Sequence, residues 1–464
     1  MVGRSCWLAA CTSPRPEPRP LCHRSRRGID ARRNAGETQG VLASHPRVEP
    51  GRSPGSTETL APLSELDIRT SIRPTLAEID LGAVQRNFQR LRAVVGARVA
   101  VWGVVKADAY GHGAVAVARA LEPLCNALAV SLVEEGMELR AAGLRAPIVV
   151  LGAYYDNHHA DVLAHRLTPV VYDVGDLERF ATAANRRGRR ADVHVKIDTG
   201  MSRLGLATKD VPRALARVGE LASLRLAGLC THFASADSPE VEFTREALTR
   251  FEGCLDGARA AGFSGLVNHA ANSAASVRFP EARFDAVRPG LALYGAMPSA
   301  RVGLPGLEAA LRLTTRVMAV HEIPAGATVS YGGTWRAPRP SRIATLPIGY
   351  ADGYPRHVRD AQVLVRGRRV PVVGAVCMDM LMVDVTDLAG VKAGDSVTLI
   401  GEEGEEGDDG EEGVGIGVDE LARWAGTVNY EILCGISKRV PRALKDAAVT
   451  SATTPALAGG RASP

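Results

Sequence analysis

From residue 99 onward the chain repeats one unit: a short apolar run, a loop, and a stretch with helical spacing. The runs fall at 99–105, 127–133, 147–151, 169–171, 193–197, 226–229, 265–267 and 284–287. Helix-like stretches lie between them, such as 133–142, stopped by Gly143, and 176–185, stopped by Gly188. Apolar runs without in–out alternation are the mark of strands buried on both faces. Eight of them, separated by helices within about 200 residues, predict an α/β chain whose strands close into a (β/α)8 TIM-like barrel. A doubly wound open sheet would carry a GxGxxG after its first strand, and none is present.

After about residue 308 the pattern changes. Short β-branched runs at 315–323, 341–346, 362–365, 370–376, 381–385 and 396–400 alternate with Gly and Pro turns. They predict a mainly antiparallel C-terminal β domain with one short helix near 418–425. The expected organisation is an Arg- and Pro-rich leader at 1–72, a barrel at 73–308, a β domain at 309–446 and a small, polar tail at 447–464. Residues 402–412 hold eight acids among glycines, a density that like-charge repulsion keeps in solvent.

Charge excludes one class of function. The net of +5 would suit a phosphate footprint, but the leader alone holds eleven Arg, no Lys and seven acids. The other 392 residues carry 45 bases and 44 acids, so the part expected to fold is nearly neutral, and no nucleic-acid partner is expected. No apolar run approaches the roughly 18 residues of a membrane helix. Cys6, Cys11, Cys22, Cys125, Cys230, Cys254, Cys377 and Cys434 form no CxxC pair, which suits a reducing, cytoplasmic compartment.

In a barrel, chemistry gathers at the C-terminal ends of the strands. After the first run comes Lys106, in VVKADAYGHG. A lysine at the end of an apolar strand is partly desolvated, which lowers its pKa and suits a Schiff-base nucleophile. After the fifth run stand Lys196 and Arg203 in KIDTGMSRLG, and after the sixth His232 in THFASAD. Asn272 and Ser273 of HAANSAA and Arg288 and Gly290 of VRPGLALYG follow the seventh and eighth, where barrels commonly bind phosphate. Lysine with a phosphate cradle suggests pyridoxal phosphate. Each residue taken singly also has a plainer reading: a solvated lysine, a core histidine, a helix cap or a surface ion pair.

Together these segments resemble alanine racemases. VSYGGTW, IGYADGYPR, VCMDMLMVDV and NYEILCGISKRVPR continue the family's order, and the resemblance spans about residues 73 to 443. It implies a pyridoxal 5′-phosphate enzyme working as a homodimer with shared active sites, converting L-alanine and D-alanine and supplying D-alanine for peptidoglycan. Lys106 would hold the cofactor and act as the base for D-alanine. Tyr331, from the partner subunit, would serve the opposite face and L-alanine, since racemisation needs one base to remove the α-proton and another to return it from behind. A free tyrosine titrates near ~10 and needs cationic neighbours to act at neutral pH. Arg288 would face the pyridine nitrogen, where a permanent cation disfavours ring protonation and suppresses transamination. His232 would pack beside the ring. Tyr110, Ser273, the backbone of Gly290 and Leu291, and Tyr430 would take the phosphate, with Asn272 beside them. Arg203 and the backbone N–H of Met378 would hold the substrate carboxylate, Lys196 is a candidate for carbamylation, and Tyr350 and Asp379 would line the access route.

Three alternatives are weighed against this. A broad-specificity amino-acid racemase differs only in pocket width. A lyase on the same fold would use a metal, and the β domain has no close His-x-Cys pair. A non-catalytic pyridoxal-phosphate carrier would lack the second domain that bears Tyr331.

Overall fold

The computed structural model describes residues 72–445, except 153, 156, 157, 300 and 404–413. The leader up to 71, the tail from 447 and most of the acidic insert lie outside the described residues. None of the described cysteines is in a disulfide, and no described helix is long and apolar enough to cross a membrane.

The apolar runs become the staves of a parallel barrel. Ala100–Val104, Ala127–Val130, Ile148–Val150, Leu167–Val171, Ala191–Asp198 and Leu224–Cys230 pair in that order. The seventh stave is shorter than the run at 265–267 suggests: it is a single bridging residue, His269, parallel to Cys230 on one side and Ala286 on the other. The last stave, Ala286–Val287, pairs back to Ala100 and Val101 and closes the ring. Every residue of Ala127–Val130 and Ile148–Val150 is buried, as the absence of alternation requires.

The helices between staves show the complementary spacing. Val174–Arg186 buries Leu177, Phe180, Ala181 and Ala184, an i, i+3, i+4, i+7 stripe turned to the sheet. Its first turn is capped by the Asp173 carboxylate, which accepts the Asp176 N–H at 2.8 Å, a contact worth about 1 kcal/mol.

The second domain is mainly antiparallel, and its central sheet draws on both ends of the described chain. Its order is Arg368–Pro371, Gln362–Val365, Ser396–Glu403, Leu311–Arg316, Leu76–Asp80 and Arg442–Lys445. Leu76–Asp80, which precedes the barrel staves, thus pairs antiparallel with Leu311–Arg316 and parallel with Arg442–Lys445. The run expected at 315–323 is two strands. Leu311–Arg316 pairs with Ser396–Glu403, whereas Ala319–Ile323 pairs with Ser341–Leu346, so the chain changes sheets at Val317 and Met318. The short helix stands at Val418–Ala425, followed by a second, Asn429–Gly435.

Candidate active site

The C-terminal ends of the staves converge on a cavity of about 270 Å3, lined among others by Lys106, Lys196, Arg203, Thr231, His232 and Arg288. A larger groove of about 1200 Å3 beside Leu76–Asp80 holds no such convergence of strand ends, so size does not mark the site. Among the described residues no carboxylate lines the smaller cavity, yet four cationic side chains do. Burial pushes the Lys106 amine below its ordinary pKa, and the charge of Arg203 presses the same way. Lys196 is lowered chiefly by burial as well, with Arg288 and Arg203 adding to it. Lys196 and Arg288 are buried here, and burying cations is costly, so this wall suits an anion.

Arg288 anchors the floor. It is 6% exposed, and burial lowers its pKa. It donates to the carbonyls of Thr231 (2.7 Å) and Ala270 (3.1 Å) and, through NH1, to Nδ1 of His269. A guanidinium can only donate, so His269 carries its proton on Nε2 and passes a hydrogen bond to Nδ1 of His194 at 3.1 Å. Trp102 lies against both rings, with centroids 4.4 and 5.6 Å away.

These imidazoles are neutral. Burial brings His194 and His112 down to about 4 and holds His269 and His232 well below the ordinary histidine range. Between about pH 6.5 and 4 the unfolded chain therefore binds protons the folded chain refuses. Stability must fall with falling pH in that window, by up to about 1.4 kcal/mol per pH unit for each histidine. Thermal unfolding should show a midpoint that drops from about pH 7 to about pH 5; a constant midpoint would contradict the buried neutral array.

Beside the cavity, Ser273 Oγ accepts the N–H groups of Gly290 (3.0 Å) and Ala292 (3.3 Å). Ser273 opens the helix Ser273–Arg278, whose cap is Asn272: its Oδ1 accepts the Ala275 N–H at 3.0 Å. Leu291 starts the tight turn Leu291–Tyr294. Tyr110 packs on Tyr294 and Tyr430, with centroids 5.0 and 6.0 Å away. Gly290 has to be glycine, because a Cβ there would sit 2.3 Å from the Tyr110 oxygen. Hydroxyls, backbone amides and a side-chain-free approach form a cradle of phosphate type. Gly290→Ala should displace Tyr110 and weaken binding of a phosphorylated ligand by about 10-fold or more, equivalent to 1–3 kcal/mol of overpacking. Titration of the apo-protein with pyridoxal phosphate reads it directly.

Tyr331 and Met378 do not reach this cavity. Both stand on the second domain, 70% and 53% exposed. Ser330, in the left-handed region at φ 64°, bonds through Oγ to the Ala375 carbonyl (2.6 Å) and contacts Cys377 Sγ (3.3 Å), which ties Tyr331 to the loop bearing Met378. The Met378 carbonyl accepts the Ala351 N–H at 3.0 Å. Tyr350 lies under the Arg356 guanidinium at 5.5 Å, and Asp379 accepts from Arg439 at 2.8 Å.

Four residues near the site carry no signal of their own in the strand-end reading: Trp102, Glu135, His194 and His269. Trp102 and His194 lie inside staves, where a buried residue reads as core. Glu135 follows the spacing of a capping residue, and its carboxylate accepts from Ser131 and Leu132.

Two family models match the chain, the alanine racemase N-terminal domain over residues 79–298 and the alanine racemase C-terminal domain over 310–444. The chain belongs to the alanine racemase family. It is 46% identical to the alanine racemase of Symbiobacterium thermophilum over 375 residues, 80% of this chain and 97% of that protein. It is 43% identical to that of Sorangium cellulosum over 379 residues, 80% and 99% of the two chains. Among solved structures it resembles the alanine racemase of Streptomyces coelicolor A3(2) at a TM-score of 0.75 and 34% identity, covering 82% of this chain and 99% of that one. The Bacillus anthracis alanine racemase with bound L-Ala-P matches at 0.74 and 36%, covering 81% and 96%. A racemase of this family is an isomerase, and the barrel with its β domain is the family's architecture.

Proposed function

We propose that this racemase interconverts L-alanine and D-alanine by a two-base reaction at pyridoxal phosphate, in a cytoplasmic homodimer whose sites each take residues from both subunits. The observation that carries the reading is the cationic wall around Lys106, lined by no carboxylate among the described residues, beside the Tyr110–Ser273–Gly290 cradle. A low-basicity amine, a recess for phosphate and a guanidinium with no acid partner fit that cofactor and a small amino acid.

When bound, pyridoxal phosphate supplies an electron sink that acidifies the substrate α-carbon. Lys106 holds the cofactor, then accepts or returns the α-proton on the D side at Nζ. Tyr331 of the partner subunit does so at its phenolic oxygen on the L side. Tyr110, Ser273, Tyr430 and the amides of Gly290 and Leu291 bind the phosphate, with Asn272 fixing the helix from which Ser273 projects. Arg288 would offer a fixed positive charge to the ring nitrogen, and neutral His232 would pack beside the ring. Arg203 supplies a planar fork for the substrate carboxylate, joined by the backbone N–H of Met378 of the partner subunit. Lys196 is the candidate for carbamylation, which would turn one of the four cations into an anion and orient Arg203; unmodified, it would serve as an ion-pairing lysine.

The product fits a role in peptidoglycan synthesis. The test is an interconversion assay starting from each alanine enantiomer, with L-serine as competitor. Equal approach to a racemic mixture from both sides, with serine turned over poorly, supports the reading. Comparable turnover of larger amino acids would move it to a broad-specificity racemase, and no turnover would overturn it.

A further inference from the structure

The segment that follows Lys106 is wound with the opposite hand to an ordinary helix. Ala107, Asp108, Ala109 and Tyr110 have φ between 52° and 55° and ψ between 40° and 52°. None is glycine. The left-handed helical conformation costs L-residues roughly 1–2 kcal/mol each, so four in succession persist only where their surroundings hold them. The winding has a use: it brings the Lys106 side chain into the cavity and the Tyr110 hydroxyl over Gly290 within five residues.

The far end of the turn is held several times over. Asp108 takes the Ala114 N–H on its carboxylate at 2.7 Å and the Gly113 N–H on its carbonyl at 3.0 Å. His112 Nδ1 lies 3.0 and 2.9 Å from the carbonyls of Ala109 and Tyr110. Arg442 donates twice to the Gly111 carbonyl, both at 3.1 Å. At the near end, the first amide after Lys106 has a different partner. The Ala107 N–H donates to Glu135 Oε1 at 2.6 Å, while Oε2 of the same carboxylate accepts Ser131 at 2.8 Å and Leu132 at 2.9 Å. Ser131 lines the cavity beside Lys106, and Glu135 itself does not.

We propose that Glu135 is a positioning residue for Lys106: one carboxylate fastens the first amide of the left-handed turn to the amides of Ser131 and Leu132, and so sets where the lysine amine stands. The inference rests on the reading of Lys106 as the cofactor-bearing base.

The test compares the full-length chain with Glu135→Ala, Glu135→Gln and the double variant Glu135→Ala/Ala107→Gly. It measures kcat, KM, the pyridoxal phosphate Kd from titration of each apo-protein, and the apo-protein melting midpoint. Glu135→Ala should lower kcat and weaken cofactor binding by about 10-fold or more, with KM for alanine changed far less. Glu135→Gln keeps one oxygen acceptor but turns its NH2 toward the amide donors on the other side of the clamp, so it should recover only part of both. Glycine accepts positive φ at little cost, so Ala107→Gly should restore the Glu135→Ala variant by about 5-fold. If Ala107→Gly rescues nothing in the Glu135→Ala background, Glu135 does not act through the backbone of the turn and the proposal fails. If Glu135→Ala lowers only the melting midpoint, with kcat and Kd intact, Glu135 is a helix cap and the proposal fails too. A wild-type chain that neither binds pyridoxal phosphate nor racemises alanine overturns the underlying reading instead.

Discussion

Replacing Lys106 with alanine is expected to lower alanine racemisation by at least about 10^3-fold, because it removes both the attachment point of the cofactor and one of two proton-transfer groups. Two lysines line the cavity, so the assignment must be tested between them. Lys196 lies within a stave and pairs in register with Cys230, whereas Lys106 lies beyond its stave, at the start of a turn clamped on both sides. Borohydride reduction of the loaded enzyme should fix the label on Lys106, and label on Lys196 would reverse the roles. The exposed position of Tyr331 makes a second arm possible. Lys106→Ala and Tyr331→Phe chains, each nearly inactive, should regain about a quarter of wild-type activity after random subunit exchange, since one of the two sites in each hybrid dimer is intact. Absence of any regain after verified exchange would put both bases in one subunit's site or remove Tyr331 from the reaction.

The second large effect is expected at Arg288. Arg288→Glu reverses the fixed charge above the His269–His194 pair and should reduce racemisation by about 10^2–10^3-fold, the range for loss of an oriented electrostatic group. A carboxylate there favours a protonated ring nitrogen and a deeper electron sink. The variant should therefore leak alanine to its keto acid, leaving the cofactor as its amine, to an extent the parent enzyme does not. Detection of pyruvate by a coupled dehydrogenase measures this leak. A variant that loses racemisation without any keto acid would show that Arg288 acts through the two carbonyls and the imidazole it holds, and not through the ring.

Much of the cavity was legible because a parallel barrel turns a linear pattern into a place: the residue after each apolar run faces the same mouth. Lys106, His232, Ser273 and Arg288 could be found that way. Tyr331 could not. It sits in a short turn with a wet hydroxyl, and only the family resemblance gives it a task. Leu76–Asp80 falls in the stretch expected to form the barrel, but its partners lie more than two hundred residues away, at Leu311 and Arg442, and local periodicity carries no information on such pairings. His269 is a stave one residue long, too short for any run to announce. The winding of Ala107 to Tyr110 was hidden for the opposite reason. Two alanines and a tyrosine have no preference for positive φ, and an aspartate only a modest one, so the conformation is held by Glu135, His112, Arg442 and the bonds Asp108 makes to Gly113 and Ala114.

The parallel pairing of Leu76–Asp80 with Arg442–Lys445 also sets an order for biosynthesis. On the ribosome, most barrel staves can meet one another as they emerge, since all but the closing pair of Ala286–Val287 with Ala100–Val101 find their neighbours within a few dozen residues. The last edge of the β sheet must wait for Arg442–Lys445, and with it Arg442, whose guanidinium grips the carbonyl of Gly111. A nascent chain released early would hold a barrel with its lysine in place by sequence but not yet seated. The full set of clamps on the turn after Lys106 is complete only once Arg442 is in place.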